Sequence, residues 1–591
     1  MAVKISAEPR VGFRTAPPRA LALGVLLGVA GSSMGQALPA APRPFVEELR
    51  QREREDALRA QQERSVDSRL EAQPPAQTHR LPGNEAPCFR IDRLALAGPQ
   101  AEDFQWALGS AAGPQGDDTP IGRCLGGEGV NLVLGRVQQA IIARGYVTTR
   151  VLAGAQDLTG GVLTLTLVPG RIAAIRFDDA TAATSLRTAI PARPGDLLNL
   201  RDIEQGLENL KRAPTAEADI QIEPSKAPDA RPGDSDLVVK YTQPRRVRAT
   251  LSLDDSGTEV TGRHQAGATV SVDNPLGLND LFYVSANHSI DGSHLLANPQ
   301  RGTEGQVLHY SLPYGNWLLG LTASSNRHRQ TVAGFNEDYV YAGKSNNAEA
   351  KLSRLIYRDR QRKTTMSLRG FRRESRNFTE DTEIGVQHRV VGGWELGLNH
   401  REFIGEATLD GNLAYRRGTG AFGAIRAPEE PFDEGSSRMR IVTADLGLNL
   451  PFKLGEQTLR YSGLWRGQWN LNTLTPQDRF AIGGRYTVRG FDGEASLAGD
   501  RGWLVRNDIG WGIPASAGPS GAELYVGIDY GEVAGKFTEQ LAGRHLAGGV
   551  IGLRGALRGL NYDLFVGAPI SKPDGFETAR VTVGFSLNYS F

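Results

Sequence analysis

At 591 residues and 63.8 kDa the chain is too long for one ordinary domain. A net charge of +1 gives no global attraction for nucleic acid. With a mean hydropathy of −0.33, no stretch reaches the 18 or so apolar residues that a membrane helix needs. A transmembrane β-barrel stays open, because its strands carry apolar residues only at alternate positions.

The N-terminus points out of the cytoplasm. Arg10, Arg14 and Arg19 precede an apolar run over residues 21–30, and small residues follow to Ala37. That order predicts a signal peptide over residues 1–35, cleaved near Gly35 or Ala37; the run is short for a membrane anchor. Two cysteines in an exported chain suggest one disulfide, Cys88 to Cys124, with a pair of unlinked thiols as the alternative. Too few ligands lie nearby for a zinc site.

Residues 44–70 predict a helix about 40 Å long. Pro44 suits its first turn, and Glu48/Arg52 and Glu55/Arg59 pair across one turn in the favourable order. Apolar positions are sparse (Phe45, Leu49, Leu58), so the helix suits a polar, water-filled lumen rather than a core. The same composition fits a solvated charged segment equally well. Residues 71–87, rich in Pro, Gln and Ala, read as a linker.

Order resumes with two small mixed domains, over 88–170 and 171–244, each in the order β-α-α-β-β. In the first, Val130, Val133, Leu134, Val137 and Ile141 recur at helical spacing, between strands at 89–96 and at 147–152 and 162–168. In the second, Ile203, Leu207 and Leu210 share a helix face, with strands at 171–177, 219–222 and 237–241.

From residue 245 to 591 alternating segments follow one another. Val581, Val583, Phe585, Leu587, Tyr589 and Phe591 alternate with Thr582, Gly584, Ser586, Asn588 and Ser590. One face suits lipid and the other a polar lumen. Sixteen such strands can be counted, an even number. Odd-to-even connections are long and polar (289–303, 326–345, 417–436, 471–499), whereas even-to-odd connections are tight turns. That two-sidedness marks an outer-membrane barrel and is foreign to a soluble sandwich.

No catalytic constellation appears, and no cofactor or metal is expected. The nine histidines are scattered and none forms HExxH. Gly343-Lys344-Ser345 resembles the end of a phosphate loop, but Asp338 stands where its first glycine belongs. Chance accounts for acidic pairs such as Asp254-Asp255.

The segment 483–491, Gly-Gly-Arg-Tyr-Thr-Val-Arg-Gly-Phe, lies in the long connection 471–499 between the eleventh and twelfth strands. It resembles the VRGF/VRGY signature of the TpsB transporters of two-partner secretion, the family of ShlB, FhaC and HecB. Cys88-Phe89, Cys124-Leu125, Arg144-Gly-Tyr-Val-Thr148 and Pro169-Gly-Arg-Ile172 are similar to that family's first POTRA domain. Asp254-Asp-Ser-Gly-Thr258, the segment 272–280, Tyr310-Ser-Leu-Pro313 and the segment 524–531 are similar to its barrel.

The resemblance implies a 16-stranded transmembrane barrel behind two periplasmic POTRA domains, with residues 44–70 as a plug helix. It implies that loop 471–499 folds into the lumen and that Arg489 pairs there with Asp529. Strand parity agrees: Val526 and Ile528 share one face, and Asp529 takes the other. Gly490 would let the tip turn, Phe491 would anchor it, and Phe591 would serve as the barrel-assembly signal. The implied partners are a large secreted TpsA-type protein (an adhesin, a haemolysin or a contact-dependent toxin), the barrel-assembly machinery and outer-membrane lipid. Nucleic acid is not expected, and the barrel is expected to be monomeric or weakly dimeric. The implied location is the outer membrane of a Gram-negative bacterium. The alternative is an assembly factor of the same superfamily that inserts other barrels; two POTRA domains and a charged N-terminal helix favour secretion. A passive porin leaves the periplasmic domains unexplained.

Overall fold

The computed structural model describes residues 44–63, 66–70, 79–179, 183–291, 300–335, 337–513 and 521–591. The signal segment 1–35 and residues 71–78 of the linker lie outside the described residues.

Alternation of apolar and polar residues closes a sheet of sixteen antiparallel strands into a barrel. They are β1 Val247–Asp254, β2 Gln265–Asp273, β3 Leu281–Ser289, β4 Gly302–Tyr314, β5 Trp317–Ala333, β6 Asp338–Arg358, β7 Arg362–Thr379, β8 Arg389–Ile404, β9 Ala407–Thr419, β10 Arg440–Leu454, β11 Gln457–Asn470, β12 Arg501–Gly512, β13 Glu523–Ala534, β14 His545–Leu557, β15 Leu560–Ser571 and β16 Thr582–Ser590. β16 pairs back onto β1, from Ser586↔Asp254 to Ser590↔Thr250. Outward positions such as Leu251, Val270, Leu308, Leu352, Leu368, Leu413, Leu446, Ile528 and Val566 are exposed, the exposure a lipid-facing surface requires. Inward positions such as Thr269, Ser271, Ser324 and Asn326 are polar and buried.

β6 runs for 21 residues, about twice what a barrel strand needs to cross a bilayer. The connection expected over 326–345 is therefore mostly strand, and only 334–337 join β5 to β6. Alternation fails as a signal there because both faces of the hairpin mix polar and apolar residues: Val332 and Tyr341 are buried on the same face as His328.

In the first periplasmic domain, strands Arg93–Ala97, Val162–Val168 and Arg150–Leu152 form one sheet. A tight helical segment, Ala101–Ala112, and helix α2, Gly127–Ala143, cover it, with Val133, Val137 and Ile141 set against Leu163, Leu165 and Leu167. Cys88 and Cys124 are joined by a disulfide with Cα atoms 5.3 Å apart. The carboxylate of Glu85 accepts the N–H groups of Gly126, Glu128 and Gly129 at the start of α2. Burial pushes that carboxyl up, but the three backbone donors outweigh burial and hold it below the usual carboxylate range. In the second domain, helix α3, Leu200–Leu210, packs Ile203, Leu207 and Leu210 on a sheet of Ile172–Phe177, Ser235–Thr242 and Glu217–Pro224. The Asn199 side chain caps α3 by accepting the Arg201 N–H at 2.9 Å.

This second domain fixes the polarity of the barrel. Asn209 on α3 donates to the carbonyl of Gly315 in the β4–β5 turn at 2.8 Å, and Glu204 accepts from Arg358 at the end of β6 at 3.0 Å. The short turns thus lie on the periplasmic side and the long connections on the cell surface.

Helix α1 runs from Pro44 to Gln62, not to Leu70 as its composition suggests. Competing hydrogen bonds end it. Gln62 turns its side-chain oxygen to Ser271 Oγ, 2.9 Å away, and Glu63 meets His309 at 3.0 Å. Beyond this point the N–H groups of Ser68 and Leu70 go to the Glu208 and Glu204 carboxylates of α3 instead of to helical carbonyls.

Candidate functional site: the barrel lumen and its inward loop

Helix α1 lies inside the barrel and touches its wall through polar groups. Arg54 donates to Ser256 Oγ at 2.8 Å, Asn326 of β5 donates to Glu55 at 2.7 Å, and Arg59 pairs with Glu349 of β6 at 2.7 Å. Arg50 reaches the Gly493 carbonyl of the inward loop at 2.7 Å, and Arg52 donates to the Gln477 carbonyl. Leu58 adds an apolar contact, packed on Leu281, Tyr283 and Val307. The helix leaves room beside it: a cavity of about 280 Å³ is lined by Arg52, Arg59, Arg369, Arg416 and Arg466, among others.

The connection between β11 and β12 folds back into the lumen. It carries a two-stranded ribbon, Phe480–Ile482 with Leu497–Gly499, and the 483–491 tip between them. At the tip the Arg489 guanidinium is nearly sequestered. Its Nε lies 2.7 Å from Asp529 Oδ2 and its Nη2 2.8 Å from Asp529 Oδ1. The same Nη2 is 2.5 Å from Asp508 Oδ1, and the backbone N–H of Arg489 also donates to Asp529 at 3.0 Å. Asp529 is 1 % exposed, while its neighbour Ile528 on the other face is 58 % exposed.

A planar guanidinium with donors on two edges can serve two carboxylates at once; an ammonium cannot. Arg506, opposite Asp529 in register, and Arg554, 3.2 Å from Asp508, complete an alternating cluster.

The wall that receives the tip is made of glycine. A β-carbon on Gly548 would fall 1.8 Å from the Arg489 carbonyl oxygen, and one on Gly527 would fall 2.7 Å from Arg489 Nη2. Gly490, at φ 93°, adopts the left-handed conformation and rests on Gly567. The loop backbone therefore lies directly on the backbone of β14 and β15. Phe491 meets Phe576 edge-on, with centroids 5.8 Å apart. Both belong to a buried apolar cluster with Ile482, Val488, Leu504, Val533 and Leu546. An apolar patch thus lies beside the charged cluster where the loop meets β12 to β14, whereas sequence alternation implies a uniformly polar interior.

Arg485 anchors the tip a second time, 2.9 Å from Asp255, which also accepts the Phe585 N–H at 2.9 Å and so spans the β16–β1 closure. Asp255 and Asp508 escape sequence reasoning. Inward parity on β12 was the signal available for Asp508. Phe591 ends the chain in backbone exchange with Ala249 of β1, at 3.0 and 3.1 Å, with its ring outward beside Tyr589.

A sequence profile described as "Haemolysin secretion/activation protein ShlB/FhaC/HecB" matches residues 233–555. The chain belongs to the ShlB/FhaC/HecB family. Profiles for a ShlB-type POTRA domain and a POTRA domain match residues 118–170 and 171–224. The outer membrane transporter CdiB-2 of Burkholderia pseudomallei (strain 1026b) is 39 % identical over 520 residues, covering 86 % of this chain and 87 % of that one. The haemolysin transporter ShlB of Serratia marcescens is 24 % identical over 66 % of this chain and 67 % of its own. The structure of CdiB from Acinetobacter baumannii superposes with a TM-score of 0.79 at 32 % identity, covering 93 % of this chain and 98 % of that one. This ShlB/FhaC/HecB member is an outer-membrane transporter of two-partner secretion, with its POTRA domains in the periplasm.

Proposed function

We propose that the POTRA domains capture an unfolded exported partner, and that the partner crosses the barrel after α1 leaves the lumen. The observation that carries this reading is the contrast within the lumen. Helix α1 is held mainly by side-chain hydrogen bonds and ion pairs, whereas the inward loop is seated on glycine backbone and apolar packing. The helix is the removable element and the loop is the fixed one. Capture proceeds by β-augmentation: the strands Arg150–Leu152 and Glu217–Pro224 each lie at an edge of their sheet. The partner is a large secreted TpsA-type protein, an adhesin, a haemolysin or a contact-dependent toxin; identity of 39 % to CdiB-2 against 24 % to the haemolysin transporter ShlB speaks against a haemolysin. Phe591 directs the barrel to its assembly machinery, and the transporter works as a monomer or a weak dimer. Deleting residues 44–62 is expected to raise single-channel conductance in planar bilayers; an unchanged conductance would overturn the plug. Loss of one surface protein on deletion of the gene supports export, and broad loss of outer-membrane barrels would instead support an insertion factor.

A further inference from the structure

The outer surface of β5, β6 and β7 carries an arrangement that neither barrel closure nor export requires. Arg327, Lys344 and Arg376 stand directly opposite one another in register: Arg327 pairs with Lys344, and Lys344 with Arg376. All three share the outward face with Leu321, Leu352 and Leu368. Like charges directly opposite in a sheet repel and destabilise it. Two more cations flank them, Arg329 and Arg372, against the carboxylates Glu304 and Glu374. Glu304 is engaged by Arg329 at 3.4 Å, and Glu374 by Arg372 and Arg376, both at 2.6 Å. Neither Arg327 nor Lys344 has an ion pair or side-chain hydrogen bond among the described residues. Arg327 also stands opposite Glu304 in register and Arg376 is held by Glu374, so these five cations share two carboxylates, and the excess calls for an anion from outside.

The height of the row identifies that anion. Outward positions on β5 begin with Trp317 at the periplasmic rim, where Arg354 lies 5.0 Å over its ring. They continue through Leu319, Leu321, Ala323 and Ser325 to Arg327. About ten residues at ~3.3 Å each, tilted by ~40°, climb about 25 Å, the height of a barrel's apolar band. The row therefore meets the headgroup level of the outer leaflet. Beneath it the polar pair Ser325–Asn346, 2.9 Å apart, gives way to a smooth apolar strip of Ala323, Ala348, Ala350 and Gly370, bordered by Leu368 and Trp394. Cationic donors above an apolar strip match an amphiphile with phosphate on its headgroup and acyl chains below.

A second like-charge pair in register, Arg417 of β9 with Arg440 of β10, occurs on the same outward face above Tyr415 and Trp469, and both arginines are exposed. At the corresponding outward positions β12 and β13 carry Trp503, Tyr530 and Glu532. There the outward face carries one cation, Arg501, with Glu532 close by, so the dense cationic belt lies on the side of β5 to β10.

We propose that Arg327, Lys344 and Arg376 form a binding site for the phosphorylated headgroup of an outer-leaflet glycolipid, whose acyl chains lie on the strip below.

The test uses the full-length barrel, delipidated in detergent, with bisphosphorylated lipid A as probe and native mass spectrometry as readout. The combined variant Arg327→Gln, Lys344→Gln, Arg376→Gln is expected to bind lipid A about a hundredfold more weakly, roughly a factor of five for each cation removed. It is also expected to keep its heat-modifiable migration. Lys344→Gln alone relieves the repulsion on both its sides; it is expected to fold at least as well as the parent and to lose about fivefold in affinity. Arg354→Gln, at the opposite rim, is expected to bind as the parent does. Dephosphorylated lipid A is expected not to bind, and inorganic phosphate at equal concentration not to compete. Unchanged binding by Lys344→Gln, an equal loss in Arg354→Gln, or displacement of lipid A by inorganic phosphate would each overturn the proposal, the last by showing a free-anion site.

Discussion

Arg489 gives one carboxylate, that of Asp529, three donors: its backbone N–H and two edges of its guanidinium. Arg489→Ala leaves Asp529 and Asp508 facing each other in a buried site, whereas Asp529→Ala leaves Arg489 with Asp508 as partner. Breaking a buried pair costs about 3–5 kcal/mol, so both variants are expected to unfold at lower temperature by heat-modifiable electrophoresis, Arg489→Ala the more. Arg489→Lys is expected not to restore export, because an ammonium cannot span the two carboxylates. Normal partner secretion by both alanine variants would reduce the tip to an ordinary loop.

Gly548→Ala tests the seat without touching a charge. Its new methyl would occupy the space of the Arg489 carbonyl oxygen, and backbone on both sides leaves no flexible atom to yield. The barrel is expected to assemble, since the outward face of β14 is unchanged, while partner export falls about as far as in Arg489→Ala. Export at the parental level would show that the tip need not rest on β14.

Replacing polar contacts of α1 should release the helix in graded steps. Glu55→Ala with Arg59→Ala removes its contacts to Asn326 and Glu349. Each such partly buried hydrogen bond or ion pair contributes about 1 kcal/mol, so the open fraction in bilayer recordings is expected to rise several-fold. A trace as quiet as the parent's would place the hold elsewhere on the helix.

Glu85 gives the first POTRA domain a pH dependence of known sign. Its folded carboxyl is held below its ordinary value, so its contribution is present above that value and is lost as pH falls through the folded one. Glu85→Gln is expected to lower stability at neutral pH by about 1 kcal/mol, as loss of a helix cap does, and to lose the acid-side dependence. Chemical denaturation of parent and variant across the acid range checks both, and a difference that does not shrink as pH falls would contradict the assignment.

The Cys88–Cys124 bridge closes a 36-residue separation, and loop-closure entropy for such a span amounts to about 3–4 kcal/mol. Cys88→Ser with Cys124→Ser is therefore expected to unfold the periplasmic part well before the barrel. Differential scanning calorimetry would resolve the two transitions, and a single unshifted one would show that the bridge adds little.

Much of the barrel was legible because lipid imposes one rule on every strand: alternate residues must be apolar. Where lipid ends the rule ends, and the outer halves of β5 and β6 passed for loop. The loop motif could be read from Val488-Arg489-Gly490-Phe491 and the carboxylate from the parity of Asp529, since both signals are local. Gly527, Gly548 and Gly567 could not be distinguished from the chain's many other glycines. Their purpose appears only when a segment distant in sequence lies on them. The end of α1 was hidden for a related reason: the carboxylates that take over its backbone donors lie on α3, more than a hundred residues away.

The polar character of the α1 contacts has an energetic consequence. A helix that touches its channel mainly through arginines, carboxylates and amides exchanges those contacts for water when it withdraws, at small net change. A greasy stopper would lose its burial on leaving and would need work to extract. On the proposed function, this one can be drawn out contact by contact, each costing about 1 kcal/mol, so an arriving chain that competes for the same polar groups can displace it in steps.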